Sequence, residues 1–308
     1  MAQTPFPIIP ELMAITIAYR NQRLIADDVL PRVPVGLKQF LYLKHRLAEG
    51  YTVPDTKVGR KSVPNLVEFN ADSVPGSAFD YGLDDIVPND DINNAPKNYN
   101  PLGHAVESIT RLIFLDREVR VANTVFNAAN YSTSNKQTLS GTSQFSDYTN
   151  SDPISVISSA MDAMVIRPNV MVIGRPAFSV LSKHPKILKA VYRNLGDSGI
   201  ARKQDIADLF ELEQVLVGES QLNTAKKGET ANIQRVWGKH ISLIYQEKAP
   251  SVDCLTYGVT AQYQDRIAGS LPEPKNGLRG SVRVRVGESV SELIMAPDAG
   301  YFLQNVAA

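Results

Sequence analysis

One cysteine, Cys254, stands in 308 residues. A single thiol excludes an internal disulfide framework and a cysteine-built zinc cluster, and it suits a chain kept in a reducing cytoplasm. No run of 18 or more apolar residues occurs, so no segment reads as a membrane span. An excess of charge is also missing, because 32 Lys plus Arg balance 32 Asp plus Glu. Without a block of Lys and Arg the chain has no means of gripping nucleic acid by charge alone. The opening Met1–Pro7 lacks the basic and apolar regions of a secretory signal. Internal repeats and low-complexity tracts are absent.

Signatures of chemistry are equally scarce. There is no Walker-type GxxxxGK and no GxGxxG, so nucleotide binding has no positive signal. The histidines, His45, His104, His184 and His240, form no HxxxH or HExxH pair. The pairs Asp84-Asp85 and Asp90-Asp91 are carboxylates a hard cation would favour. Their loop nevertheless lacks the spaced oxygen ligands and closing Glu of an EF-hand. Gly196-Asp197-Ser198-Gly199 matches the surroundings of a serine-protease nucleophile over four residues only. No segment supplies the matching base, so a polar turn is the plainer reading. No catalytic residue, cofactor or metal is expected.

What is present is an ordinary globular composition, 43% hydrophobic and 21% charged, laid out unevenly. Prolines at 5, 7, 10, 31, 34 and 54 break up the first 60 residues. A short helix is expected over 11–19, and a strand or helix over 37–47. Residues 49–100 are rich in Pro and Gly, with strand-like pieces at 51–53 and 65–69. A structureless insert of that length is unusual in a compact domain, so a functional arm or hairpin is expected.

Charge polarises across this region. Residues 1–61 hold nine basic and five acidic side chains, whereas 62–96 hold seven acids and no Lys or Arg. Two solvated faces would explain this blandly. The sharper reading is that Lys57, Arg60 and Lys61 on one side, and Asp84, Asp85, Asp90 and Asp91 on the other, meet opposite charge on neighbouring copies.

From Pro101 to about Asn130 apolar residues recur at spacings of three and four: Leu102, Val106, Ile109, Ile113, Leu115, Val119, Ala122 and Phe126. Asn100 as N-cap and Pro101 at the first helical position start a spine helix of about 42 Å. Residues 131–152 read as a polar loop or exposed hairpin. Residues 153–265 alternate helices with short strands, which implies an α/β sandwich. A Pro/Gly hinge at 271–277 precedes a strand in which Arg283 and Arg285 alternate with Val282, Val284 and Val286, and a last short strand ends the chain.

This order of parts resembles the major capsid proteins of tailed bacteriophages, with the Hong Kong 97-like capsid fold. Segments similar to a Mu-like and related siphovirus subgroup are Asp28-Val29-Leu30-Pro31-Arg32-Val33-Pro34-Val35, Asp80-Tyr81-Gly82-Leu83-Asp84-Asp85, Leu115-Asp116-Arg117-Glu118-Val119-Arg120 and Arg235-Val236-Trp237-Gly238-Lys239. The resemblance implies an α+β chain in four parts. They are an N-terminal arm (1–48), an extended loop (49–98), a peripheral domain (99–150 and 266–308, spine about 101–130) and an axial domain (151–265).

The function it implies is structural. Many copies, as pentamers and hexamers, would form the icosahedral head around double-stranded DNA, assembled in the bacterial cytoplasm and kept in the virion. Because the arm-like pattern begins almost at once, scaffolding is expected to be a separate protein or to have been removed before this sequence begins. A portal and a cement protein are the further partners, and no membrane is involved. Arg283 and Arg285 are candidates to face the interior, with a neighbour's carboxylate as the alternative. Lys57 and Lys61 lie where some family members form lysine–asparagine cross-links, but no matching Asn and Glu are identified, so they read as solvated lysines. Two other functions stay open: an encapsulin-like compartment holding protein cargo, and a cytoplasmic hydrolase using Ser198.

Overall fold

Prolines and one asparagine set the punctuation of the chain. The computed structural model describes residues 6–18, 24–44, 53–66, 72–192, 199–226 and 228–308. Pro10 opens α1 (Pro10–Ala18), and a single turn, α2 (Ala26–Val29), precedes β1 (Arg32–Val35). The segment expected as strand or helix at 37–47 is a strand, β2 (Gln39–Lys44), paired antiparallel with β3 (Asp72–Ser77). Between them, residues 53–66 are exposed coil with one turn, where Ser62 N donates to Gly59 O at 2.9 Å. The strand-like pieces at 51–53 and 65–69 fall largely outside the described residues. The long β4 (Phe79–Pro88) and a short α3 (Asn89–Asn93) lead to the spine.

The spine, α4 (Pro101–Val125), starts where Asn100 and Pro101 predict. The Asn100 carboxamide oxygen accepts from Leu102 N and Gly103 N, both at 3.1 Å, satisfying two amides that have no partner within the helix. Twenty-five residues give about 37 Å, shorter than expected because the helix stops at Phe126. The buried stripe also takes a different path in its second half. Leu115 and Val119 are only half-buried, while Ile109, Ile113, Arg117, Val121 and Val125 follow one another at four-residue steps and are all buried.

Beyond the spine come β5 (Lys136–Thr138), α5 (Pro153–Asp162), β6 (Val170–Gly174), α6 (Arg175–Leu181), α7 (Pro185–Tyr192), α8 (Lys203–Phe210), β7 (Gln214–Gly218), β8 (Gln221–Asn223), β9 (Ile233–Arg235) and β10 (Ile241–Ile244). The chain closes with β11 (Gly258–Glu273), β12 (Ser281–Ile294) and β13 (Gly300–Gln304). Two sheets organise these parts. A four-stranded sheet runs β1-β11-β12-β4, and a five-stranded one runs β5-β13-β10-β6-β7. The hinge expected at 271–277 is the turn of a long hairpin instead. Gly277 and Gly280, at φ 74° and 76°, take the left-handed backbone that turn requires.

Residues 131–152 are not merely a surface loop. Tyr131, Leu139 and Phe145 are buried, and Phe145 N donates to Val306 O at 2.7 Å. Through β5 and β13 the five-stranded sheet draws in segments from both sides of 151–265. The spine bridges the two sheets. Its N-terminal half packs Val106, Ile109 and Ile113 on Val284 and Val286 of β12 and on Leu12 of α1. Its C-terminal half packs Val121, Ala122 and Val125 with Val172, Leu216, Trp237 and Phe302. Arg117 and Glu118 stand at the change-over.

Candidate functional site

The helix periodicity that buries Ile113 and Phe114 also buries the residues one turn on, Arg117 and Glu118, which are 2% and 0% exposed. A buried charge must be paired or hydrogen-bonded; Glu118 is held by hydrogen bonds and Arg117 by an ion pair and hydrogen bonds, its Nε alone lacking a partner among the described residues. Glu118 accepts from Ala26 N at 2.8 Å, Ile25 N at 3.1 Å, Ser220 Oγ at 3.3 Å and Trp237 Nε1 at 2.5 Å. It thus holds the first amides of α2 to the spine. Burial pushes its carboxyl above the ordinary value, and these four donors offset only part of that.

Trp237 reaches Glu118 because Gly218 leaves room for it. A Cβ on Gly218 would lie 2.1 Å from the indole Cγ.

Arg117 donates to Asp27, to Thr260 Oγ1 at 2.9 Å and to Leu30 O at 3.2 Å. Arg32 bridges Asp27 at 2.7 Å and Glu288 at 2.8 Å, and Arg266 joins Glu288 at 3.1 Å and Thr16 O at 2.9 Å. Burial raises the Glu288 carboxyl, but the guanidiniums of Arg32, Arg266 and Arg117 outweigh it and hold it below the ordinary value. Asp27 is likewise held low by Arg117 and Arg32 against its burial. Arg120 pairs with Glu292 at 2.9 Å and lies 3.5 Å over the Tyr81 ring.

All four segments that carry the capsid resemblance therefore converge on the middle of the spine. Of these residues only Asp84 and Asp85 are expected from sequence to make contacts, with neighbouring copies; the junction around Arg117 and Glu118 is not. The available signal was a pair of charges standing in register with an apolar stripe.

The expected contact residues lie elsewhere. Lys57, Arg60 and Lys61 occupy the exposed 53–66 segment and have no ion-pair partner among the described residues. The acids divide. Asp84 takes both Arg285 (2.6 Å) and Arg283 (3.4 Å) from the neighbouring strand of its own chain, and those cations hold its carboxyl low. Asp90 pairs with Arg279 at 3.2 Å. Asp85 caps only the amide of Ile86, and Asp91 has no ion pair among the described residues. Arg283 and Arg285 share the outer face of β12, and Arg283 also reaches Glu273 at 2.8 Å.

The catalytic candidates fall partly outside the described residues. Ser198 lies outside the described residues. The buried pair Ser151–His184 superficially suggests a nucleophile and base, with Oγ and Nε2 3.0 Å apart. His184 Nδ1, however, accepts from Lys186 N, so Nε2 carries the proton and donates to the serine. The serine proton goes to Asp147 O at 2.6 Å. An imidazole that donates to the hydroxyl is oriented against removing its proton. Among the described residues no group of three His, Cys, Asp or Glu side chains is placed to hold a metal ion, and no helix is long and apolar enough to cross a membrane.

No protein-family model matches the chain. It is 52% identical to the major capsid protein of Pseudomonas phage JBD67 over the full length of both. To the major capsid protein of Burkholderia phage BcepMu it is 27% identical over 96% of each chain. Its structure superposes on a phage-related protein from Bordetella bronchiseptica RB50 with a TM-score of 0.76, covering 98% of both chains at 22% identity.

Proposed function

The chain belongs to the bacteriophage major capsid proteins, and from that premise we propose how this subunit builds a head. Copies associate as pentamers and hexamers into an icosahedral shell that encloses double-stranded DNA, assembled in the host cytoplasm. Residues 1–48 act as the arm, 49–98 as the extended loop, 99–150 with 266–308 as the peripheral domain and 151–265 as the axial domain. A separate scaffolding protein, a portal and a cement protein complete the head. The subunit is a structural element without catalytic activity.

One observation carries this reading. In a subunit with four closed hydrophobic clusters, residues 53–66 are exposed throughout, with Val53, Val63 and Leu66 each close to 90% exposed. A segment whose apolar side chains find no surface in their own chain suits a surface on another copy. Among the described residues the base of that loop is a two-stranded sheet that no further strand joins, and such edges suit pairing between copies.

Net neutrality adds a physical advantage, since a container wall of balanced charge does not adhere tightly to the DNA within it.

Electron microscopy of the purified protein, alone and with its scaffold, tests the proposal. Discrete spherical shells of one or a few sizes are expected. A solution that stays monomeric under all assembly conditions would overturn it. The compartment alternative predicts shells packed with protein rather than DNA, and the full-length phage relatives favour the head.

A further inference from the structure

The tip of the β11–β12 hairpin carries the one Asn-Gly pair in the chain, Asn276-Gly277. Glu273 faces Ser281 at the end of the ladder, and the loop between them is largely exposed. Asn276 N donates to Glu273 O at 3.2 Å, and Asn276 O accepts from Ser281 Oγ at 3.2 Å, so the backbone is held as far as Asn276. Beyond that point the loop is open. Among the described residues the Asn276 carboxamide makes no hydrogen bond and the Gly277 N–H has no acceptor. Leu278 is fully exposed, and nothing lies within 4 Å of where a Cβ on Gly277 would stand. Gly277 is thus an uncrowded residue in left-handed backbone, at φ 74°.

A free carboxamide beside a free, uncrowded amide nitrogen can react within the chain, because the two groups need no diffusion to meet. Asn150-Ser151 supplies the contrast. There Asn150 Nδ2 donates to Asp147 Oδ2 at 2.8 Å and Ser151 N donates to Asp147 O at 3.1 Å, so both groups are occupied. We propose that Asn276 is a site of spontaneous covalent modification, in which Gly277 N attacks the Asn276 side chain and converts the residue to aspartate and isoaspartate.

The step balances with water as its only co-reactant. Gly277 N bonds to Asn276 Cγ, and the side-chain nitrogen leaves as ammonia with the proton lost from Gly277 N, giving a succinimide. Water then opens the ring. Breaking the new bond to Cγ leaves aspartate, and breaking the original peptide bond leaves isoaspartate, whose backbone runs on through Cβ and Cγ. Nothing is oxidised or reduced. Each event adds one negative charge next to Lys275, and the isoaspartate form also lengthens the loop by a methylene. That loop is tied to α3, since Arg279 pairs with Asp90 at 3.2 Å and Asn89 Nδ2 donates to Arg279 O at 2.8 Å. Ageing therefore alters the charge and the span of a segment anchored at both ends.

The test uses the folded, unassembled subunit, so its result does not depend on shell formation. The protein is held at mildly alkaline pH beside a free peptide of residues 272–281, and both are followed by peptide mapping and mass spectrometry. A gain of about 1 Da at Asn276 is expected, as separate aspartate and isoaspartate peptides, with Asn150 unchanged and a matching acidic shift on isoelectric focusing. Gly277→Ala crowds the attacking nitrogen, and Asn276→Gln must close a larger ring. Each should slow the gain at least about tenfold. An intact Asn276 in the protein after the free peptide has reacted would overturn the proposal. So would modification of Asn150 ahead of Asn276, or a wild-type rate in both variants.

Discussion

Glu118 is the residue on which most depends, and the reason is solvation. A carboxylate taken out of water is costly, and here four protein donors replace the lost water. Glu118→Gln puts an amide N–H₂ where donors already point, so it should destabilise the subunit by about 1–3 kcal/mol. Trp237→Phe removes the indole donor and should cost a similar amount. Because the two groups share one hydrogen bond, the double variant should lose less than the sum, with a coupling of about 0.5–3 kcal/mol. Urea unfolding of the unassembled subunit measures all three, and strict additivity would show that the contact carries no energy of its own.

Glu288 and Glu118 respond to acid in opposite directions. Three guanidiniums hold the Glu288 carboxyl below its ordinary value of 4.5. Its contribution is therefore present above about pH 4.5 and is lost as pH falls through the lower folded value. The Glu118 carboxyl is raised, so its contribution is fullest below 4.5 and declines as pH rises through the raised value. Asp27 is also depressed, but its side chain is 53% exposed and solvent screens it. The acid limb of the stability curve should thus belong chiefly to Glu288, which is 1% exposed. Unfolding midpoints from pH 7 to pH 3 should fall on the acid side. Glu288→Gln should flatten that fall while lowering stability at pH 7 by about 3–5 kcal/mol. An unchanged acid limb in that variant would refute the assignment.

At the scale of elements, what could be read in advance is what local chemistry decides. Asn100-Pro101 announces the start of α4, and the structure shows the cap that justifies it. Asn100→Ala should therefore cost about 1 kcal/mol in urea unfolding, and Asn100→Ser close to nothing. Equal losses from both variants would mean that the side-chain cap is incidental.

The short strands at 170–174 and 214–218 are likewise local apolar runs. Misread elements are those decided by distant partners. Residues 131–152 look polar, yet Phe145 is buried because Val306 and the five-stranded sheet are there to receive it. The alternation of Val282, Val284 and Val286 stops at Gly287 and Glu288, yet β12 runs on to Ile294. In the sheet Gly287 faces Gly82, and Glu288 is drawn inward by Arg32 and Arg266. Arg117 and Glu118 were hidden for the same reason, since only the folded arm and Trp237 turn a charged pair into core.

For the whole molecule, folding and assembly use different residues. The ionic junction at the spine fixes the arm from Leu24 to Val35 onto the body of the same subunit. The 53–66 segment adds nothing comparable, because its hydrogen bonds are local and its side chains lie in water. Such a segment can be lost at almost no cost to the monomer, since a shorter loop even lowers closure entropy slightly, by about 0.6 kcal/mol per halving. Replacing residues 54–65 with a short Gly-Ser link should therefore leave the unfolding midpoint within about 0.5 kcal/mol of wild type. Shell formation, followed by light scattering and electron microscopy, should be abolished. Were shells to form normally without the loop, the surfaces that join copies would have to be sought on the sheets and the axial unit. Were the shortened subunit to unfold, the loop would be part of the monomer's core after all. The separation matters for a shell subunit, because a chain that is stable before it meets its neighbours can hold its contact segments in reserve until they arrive.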